Sequence, residues 1–254
     1  MQGARWIAAE WNGARLTLWA MGADGPVARG EAAAPDLAGA LAPWGGQRLP
    51  ILAAGLPGAP VCALPCRPEQ PAQARRGGSD LWHVPDLARP GTAERLPGPA
   101  ALRLAGLLAA QPEFDGVACL TGPHSHWTHL SAGEVVSVMA AASGRVAACL
   151  AADPGAEAGF DAALSAVLSR PERLARALAE MTEPGAIWGA LIGAELAAAR
   201  PWWLGQRVLV LGEGATPALY ARALAAQGVP ATTGADEAAA LAGFTRAATA
   251  LGLA

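Results

Sequence analysis

Three of the four histidines of this 254-residue chain fall within six positions, in the stretch ACLTGPHSHWTHL at 118–130. An imidazole beside a hydroxyl, as at His124 and Ser125, is a pair that can hold and move a proton. His124 and His126 are two apart, so on a strand they share a face and can offer two nitrogens to a metal ion. His129 then falls on the other face, and no carboxylate or cysteine stands close in sequence. The same stretch also reads as a polar strand with a stacked Trp127. A second chemical candidate is Gly212-Glu213-Gly214 followed by Thr216. It is a glycine loop between a buried strand and a helix, and the Gly-x-Gly spacing alone is a weak signal. The carboxylates that can act as base or metal ligand are Glu10, Asp115, Asp153, Asp161 and Glu195.

Composition narrows the chemistry further. All 18 basic residues are Arg, which excludes a lysine Schiff base and a P-loop lysine. A net charge of −3 gives no electrostatic basis for nucleic acid or an anionic membrane as partner. No segment is long and apolar enough to predict a membrane span, and no signal peptide is expected. Cys62 and Cys66 form a CxxxC without a second pair, so Cys62, Cys66, Cys119 and Cys149 read as ordinary thiols in a reducing, cytoplasmic setting.

The elements that must position these residues repeat. Residues 5–10 are strand-like, Asn12-Gly13 is a hairpin turn, and 15–21 and 27–31 supply two more strands. From 117 the order returns: the apolar VACLTGP, then HSHWTHL, the turn SAGE, and VVSVMAAA. Helical material follows each unit, at 35–44 and at 159–181. Later come the small-residue helix WGALIGAELAAAR and the strand–loop–helix RVLVLGEGATPALYARALAAQG, closed by Gly228. The Trp-rich RPWWLG at 200–205 reads as a helix end packed on the core, or as an interface. Two hairpin-led α/β units predict an actin-like, sugar-kinase ATPase fold of two ribonuclease-H-like domains, 1–115 and 116–254, around a nucleotide cleft.

The detail resembles the 2-dehydro-3-deoxygalactonokinase family, bacterial kinases that phosphorylate 2-keto-3-deoxygalactonate with ATP. The resemblance covers nearly the whole chain. The family's Gly-Thr-His-Ser-Lys-Trp is similar to Gly122, Pro123, His124, Ser125, His126 and Trp127. Its Phe-x-Thr-x-Met-Thr-Gly-Glu falls on Val138, Ala140, Ala142, Ser143, Gly144 and Arg145. Its Ser-Gly-Leu-Leu-Ile-Gly-Ala-Glu helix resembles the run through Gly189, Leu191, Ile192, Gly193, Ala194 and Glu195. Its C-terminal glycine loop and Leu-x-x-x-Tyr correspond to Gly212, Leu219 and Tyr220.

The resemblance implies ATP and Mg2+ as cofactors and a small sugar acid as substrate, with a homodimer among the forms such families take. It implies catalytic roles for Glu10, His124 and Ser125, with Glu10 also at the metal. It places Asn12, Gly13, Gly122, Ser143 and Gly144 at phosphates, Gly212, Gly214, Thr216 and Tyr220 at the nucleotide, and Arg15 and Arg145 at the substrate. The chain departs from the family at several motifs. Asp-Trp-Gly-Ser-Thr-Asn-Leu-Arg is here Glu10 to Thr17, and Met-Arg-Gly-Glu-Glu-Thr-Gln retains only Gly98. Pro123, His126 and Arg145 replace Thr, Lys and Glu. An alternative expectation is therefore a member that binds nucleotide or sugar acid without turnover. A third is a duplication that holds no ligand.

Overall fold

The computed structural model describes residues 3–44, 49–69, 73–74 and 80–254. The chain divides into two compact units. One comprises Met1–Glu113 with Glu237–Ala254, the other Phe114–Asp236.

The first unit opens with β1 (Trp6–Trp11), β2 (Leu16–Gly22) and β3 (Gly25–Ala32). A short helix α1 (Leu37–Leu41), extended by a 3-10 turn over Ala42–Trp44, leads to β4 (Ile51–Ala54). The strands β5 (Val61–Ala63), β6 (Gln73–Ala74), β7 (Leu81–His83), β8 (Asp86–Ala88) and β9 (Arg95–Leu96) precede helix α2 (Gly98–Ala110). Among the described residues the main sheet runs β3-β2-β1-β4-β7-β6, and β5-β8-β9 form a smaller one. β1 is an unbroken apolar run because both its faces are covered. Trp6 and Ala8 pack with Leu102, while Ile7 and Ala9 meet Leu37, Leu41 and Trp44. The β1–β2 turn closes as its residues dictate: Asn12 Oδ1 accepts from the backbone N–H of Ala14 and Arg15 at 3.0 and 2.9 Å, and Gly13 takes φ +96°.

The second unit begins with β10 (Gly116–Leu120), β11 (Ser125–Ser131) and β12 (Glu134–Ala141). Helices α3 (Ser143–Cys149), α4 (Phe160–Ser169), α5 (Leu174–Glu180), α6 (Pro184–Ala198) and α7 (Arg200–Trp203) follow. Then come β13 (Val208–Gly212), α8 (Thr216–Ala225) and β14 (Ala231–Ala235). The sheet order β12-β11-β10-β13-β14 repeats β3-β2-β1-β4-β7, and so do the directions. In each, the first three strands pair antiparallel and the later ones join in parallel. The repeat expected from the hairpin pattern is thus present in topology.

Helix α6 is buried on nearly every side, which explains its almost uniformly apolar sequence. Its glycines form a stripe at four-residue spacing. A Cβ on Gly189 would lie 2.2 Å from Phe160 O, and one on Gly193 2.7 Å from Leu164 O. Only glycine lets α6 and α4 approach this closely. Trp203 is buried at the end of α7 and donates Nε1–H to Leu196 O at 2.8 Å, so the Trp-rich segment packs on the core.

One boundary differs from expectation. The last helix, α9 (Asp236–Ala250), belongs with the first unit from Glu237 onward rather than with the second. It crosses α2 backbone to backbone: a Cβ on Gly106 would sit 1.9 Å from Ala239 O, and one on Gly243 2.0 Å from Leu102 O. Phe244, Ala247 and Ala248 then complete the core around Trp6 and Trp19. Among the described residues no helix is long and apolar enough to cross a membrane.

Candidate functional site

Strand alternation turns Ser125 and Trp127 of β11 inward, toward α6. There they meet the carboxylate of Glu195, which is 4% exposed. Ser125 Oγ–H and Trp127 Nε1–H donate to Oε1 at 2.6 and 2.8 Å. Tyr220 OH, from α8, donates to Oε2 at 2.8 Å, and Ser143 Oγ, at the start of α3, donates to the same oxygen. A buried carboxylate must be paired or fully hydrogen-bonded, and here four neutral donors from three elements, β11, α3 and α8, do it. Burial, and then the charge on Glu195, push the Tyr220 phenol and the Cys119 thiol well above their ordinary ranges.

Just outside this cluster three backbone segments meet at the C-terminal ends of β10 and β13. Thr121 N–H donates to Leu211 O at 2.7 Å, and Arg145 N–H donates to Pro123 O at 2.7 Å. The contacts are too close for side chains. A Cβ on Gly144 would lie 2.0 Å from Gly122 O, and one on Gly212 would lie 2.0 Å from Thr121 Oγ1. Gly214, at φ +68°, has open space where a Cβ would stand, and Thr216 opens α8. The Gly122 turn, the Gly144 start of α3 and the Gly212–Thr216 loop therefore form one glycine-lined group. The ends of parallel strands are where α/β folds place ligands. Arg145 is exposed beside them, with no ion-pair partner among the described residues.

His124 and Ser125 do not act side by side. His124 turns to His126, with ring centroids 6.5 Å apart, while Ser125 points inward to Glu195. Burial, then the neighbouring His124, hold His126 down at about 4. Among the described residues no group of three or more His, Cys, Asp or Glu is placed to hold a metal ion.

In the first unit, the period of β1 sets Glu10 on the face of Trp6 and Ala8, toward α2. Arg103 of α2 grips it in a bidentate pair: Nη1 to Oε2 at 3.1 Å and Nη2 to Oε1 at 3.0 Å. Arg103 Nη1 also donates to Pro99 O at 2.9 Å. Asn12 and Gly13 are exposed at the hairpin tip, and Arg15 lies 3.7 Å from Glu31 across to β3. The segment that lacks the family's two carboxylates forms the start of α2. Asp86 caps it, with Oδ1 accepting from Gly98 N–H at 2.8 Å.

Three expected contact residues are therefore relocated. Ser125 has no exposed surface, Tyr220 is 1% exposed, and Ser143 is buried. All three direct their hydroxyl hydrogens at Glu195, so they stand behind the surface rather than on it. Of the other carboxylates considered, Asp115 accepts from Ser131 Oγ, Asp153 from Gly155 N–H, and Asp161 pairs with Arg222, all of them local structural roles. Arg103 is the residue sequence reading missed. Its signal was a lone arginine in the apolar helix PAALRLAGLLAA, which demands a buried counter-ion.

A family model described as 2-keto-3-deoxy-galactonokinase matches residues 11–247. Among solved structures, the chain is similar to a candidate 2-dehydro-3-deoxygalactonokinase protein from Sinorhizobium meliloti. The two are 24% identical over 97% of this chain and 99% of the other, with TM-score 0.82. It is also similar to the activator of 2-hydroxyisocaproyl-CoA dehydratase from Clostridium difficile, solved with bound ADPNP. That match is 10% identical over 98% and 97%, with TM-score 0.53. No curated protein matches the chain.

Proposed function

Because the chain belongs to the 2-keto-3-deoxy-galactonokinase family, we propose that it transfers a phosphoryl group from MgATP to 2-keto-3-deoxygalactonate or a closely related 2-keto-3-deoxy acid. The fold is the actin-like ATPase and sugar-kinase fold, an α/β architecture. The observation that carries the reading is the glycine-lined group at the ends of β10 and β13. Three segments meet there at contacts too close for a Cβ on Gly144 or Gly212, and Gly214 keeps space open. Such a surface suits the close approach of backbone to phosphate oxygens, and the α8 start adds free N–H groups.

In this reading Gly212, Gly214 and Thr216 hold the nucleotide. In the second unit Gly122 and Gly144 face phosphates, and Arg145 binds the carboxylate of the sugar acid, as guanidinium suits a planar anion. His124 is the half-buried imidazole at the turn and handles the proton of the attacking hydroxyl. Glu10 is the carboxylate that would serve Mg2+; with Arg103 gripping both its oxygens, it would do so through solvent rather than as a direct ligand. MgATP supplies the transferable phosphoryl group when bound. Phosphoryl transfer depends chiefly on positioning and charge neutralisation, which are what these glycines and Arg145 provide. The reading places the protein in the cytoplasm.

A coupled assay for ADP release with 2-keto-3-deoxygalactonate and MgATP tests it. Turnover with that acid or a near relative is expected. A folded protein that turns over no 2-keto-3-deoxy acid refutes the reading, and binding without turnover would leave a sensor in its place.

A further inference from the structure

Glu195 touches no surface, yet it is the point at which the phosphate-facing segments of the second unit are anchored. Ser125 directly follows His124 at the end of the 121–124 turn. Ser143 directly precedes Gly144. Tyr220 lies one helical turn after Thr216. Each of the three segments thus has a donor on Glu195 within five residues of its exposed part. Trp127, the fourth donor, packs at a tilt against Tyr220 with ring centroids 6.4 Å apart and fixes the strand behind the turn.

We propose that Glu195 is the positioning residue for this group. Its carboxylate holds the 121–124 turn, the start of α3 and the 212–216 loop in one register, while its own charge never meets the ligand. The functional consequence rests on the kinase reading; the structural one does not. Chemistry explains why the residue is a carboxylate. A negative charge behind a phosphate site is unfavourable for phosphate, so it is not placed there for binding. A carboxylate is an acceptor only, with about four lone-pair sites, and can therefore receive all four donors at once. An amide of the same shape has one donating arm, which would meet two hydroxyl groups already pointing inward. Those hydroxyls must turn around, and the segments they anchor lose their common register. The carboxylate also keeps the Ser125 and Ser143 hydrogens facing inward, which leaves backbone N–H groups as the donors to a phosphate.

The test is Glu195→Gln, read by amide hydrogen exchange without ligand and by titration with MgADP. Exchange is expected to rise about tenfold in 121–124, 143–146 and 212–218 while β10 and β13 stay protected. MgADP affinity is expected to fall about tenfold. Unchanged exchange in the three segments overturns the proposal. So does a uniform rise across the second unit, which would mark Glu195 as an ordinary core residue. If Glu195→Gln does not fold, Tyr220→Phe removes one donor and leaves the charge. Faster exchange confined to 212–218 then supports the proposal, and no change there refutes it. A wild-type protein that binds no MgADP sinks the kinase reading, and the exchange result still decides the role of Glu195.

Discussion

Each unit has a buried carboxylate held between a strand and a helix, Glu10 in the first and Glu195 in the second, and the two are satisfied in opposite ways. In the first unit the strand brings the acid, Glu10, and the helix brings a full positive charge, Arg103. In the second the helix brings the acid, Glu195, and one strand and two further helices bring four neutral donors. An ion pair joins two elements and can be exchanged for apolar side chains of similar size with little loss. A four-donor acceptor joins four elements and has no such substitute, because every donor is orphaned together. The repeated topology has therefore been stabilised by one replaceable clamp and one irreplaceable one.

The largest effect should follow removal of the second clamp. Glu195→Ala leaves four buried donors without an acceptor and is expected to cost on the order of 5 kcal/mol in chemical denaturation, confined to the second unit. A loss under about 1 kcal/mol would erase the contrast. Arg103→Ala, which takes the guanidinium from both oxygens of the buried Glu10, should cost about 3 kcal/mol. The double variant Glu10→Met with Arg103→Met should return to within about 1 kcal/mol of wild type, and a double variant as unstable as the single would show that the first clamp is no simple ion pair.

A third prediction concerns the outer face of β11. His126 is held down at about 4 against an ordinary 6.5. Its neutral form is the one the folded state prefers, so the unfolded chain binds the extra proton between those values. The stability it contributes is whole above pH 6.5 and is lost as pH falls toward 4, on the order of 2 kcal/mol for a half-buried ring. Denaturation at pH 7.5 and 4.5 measures it, and His126→Gln should flatten that part of the profile. A variant as acid-sensitive as wild type would place the titration elsewhere. The smallest effect belongs to the first hairpin. Asn12→Ala removes the turn acceptor for Ala14 and Arg15 N–H and should cost about 0.5–1 kcal/mol, measurable by thermal melting.

Much of the scaffold was legible because it depends on short-range pattern. Asn12-Gly13 announced its turn, the apolar runs at 6–9 and 117–120 announced strands covered on both faces, and the hairpin order announced the duplication. The site residues were legible as types at family positions, but not in their directions. His124 and Ser125 are adjacent letters, and alternation sends them to opposite sides of β11. Tyr220 and Ser143 look like ligand contacts until a helix 25 residues from one and 52 from the other places an acid beneath both. Arg103 looks like a stray charge until β1 is laid beside α2.

By itself, the sequence determined the elements, their repetition, the glycine spacing that lets α6 lie against α4, and the absence of any lysine chemistry. Tertiary structure alone decided which carboxylate meets which donors, which hydroxyls face inward, and that the last helix covers the first sheet. The physical reason is range. Turn, strand and helix preferences act over a few residues and are written locally. The partner of a buried charge is chosen by whichever group the packing brings within about 3 Å, and between Glu10 and Arg103 that choice spans 93 positions of chain.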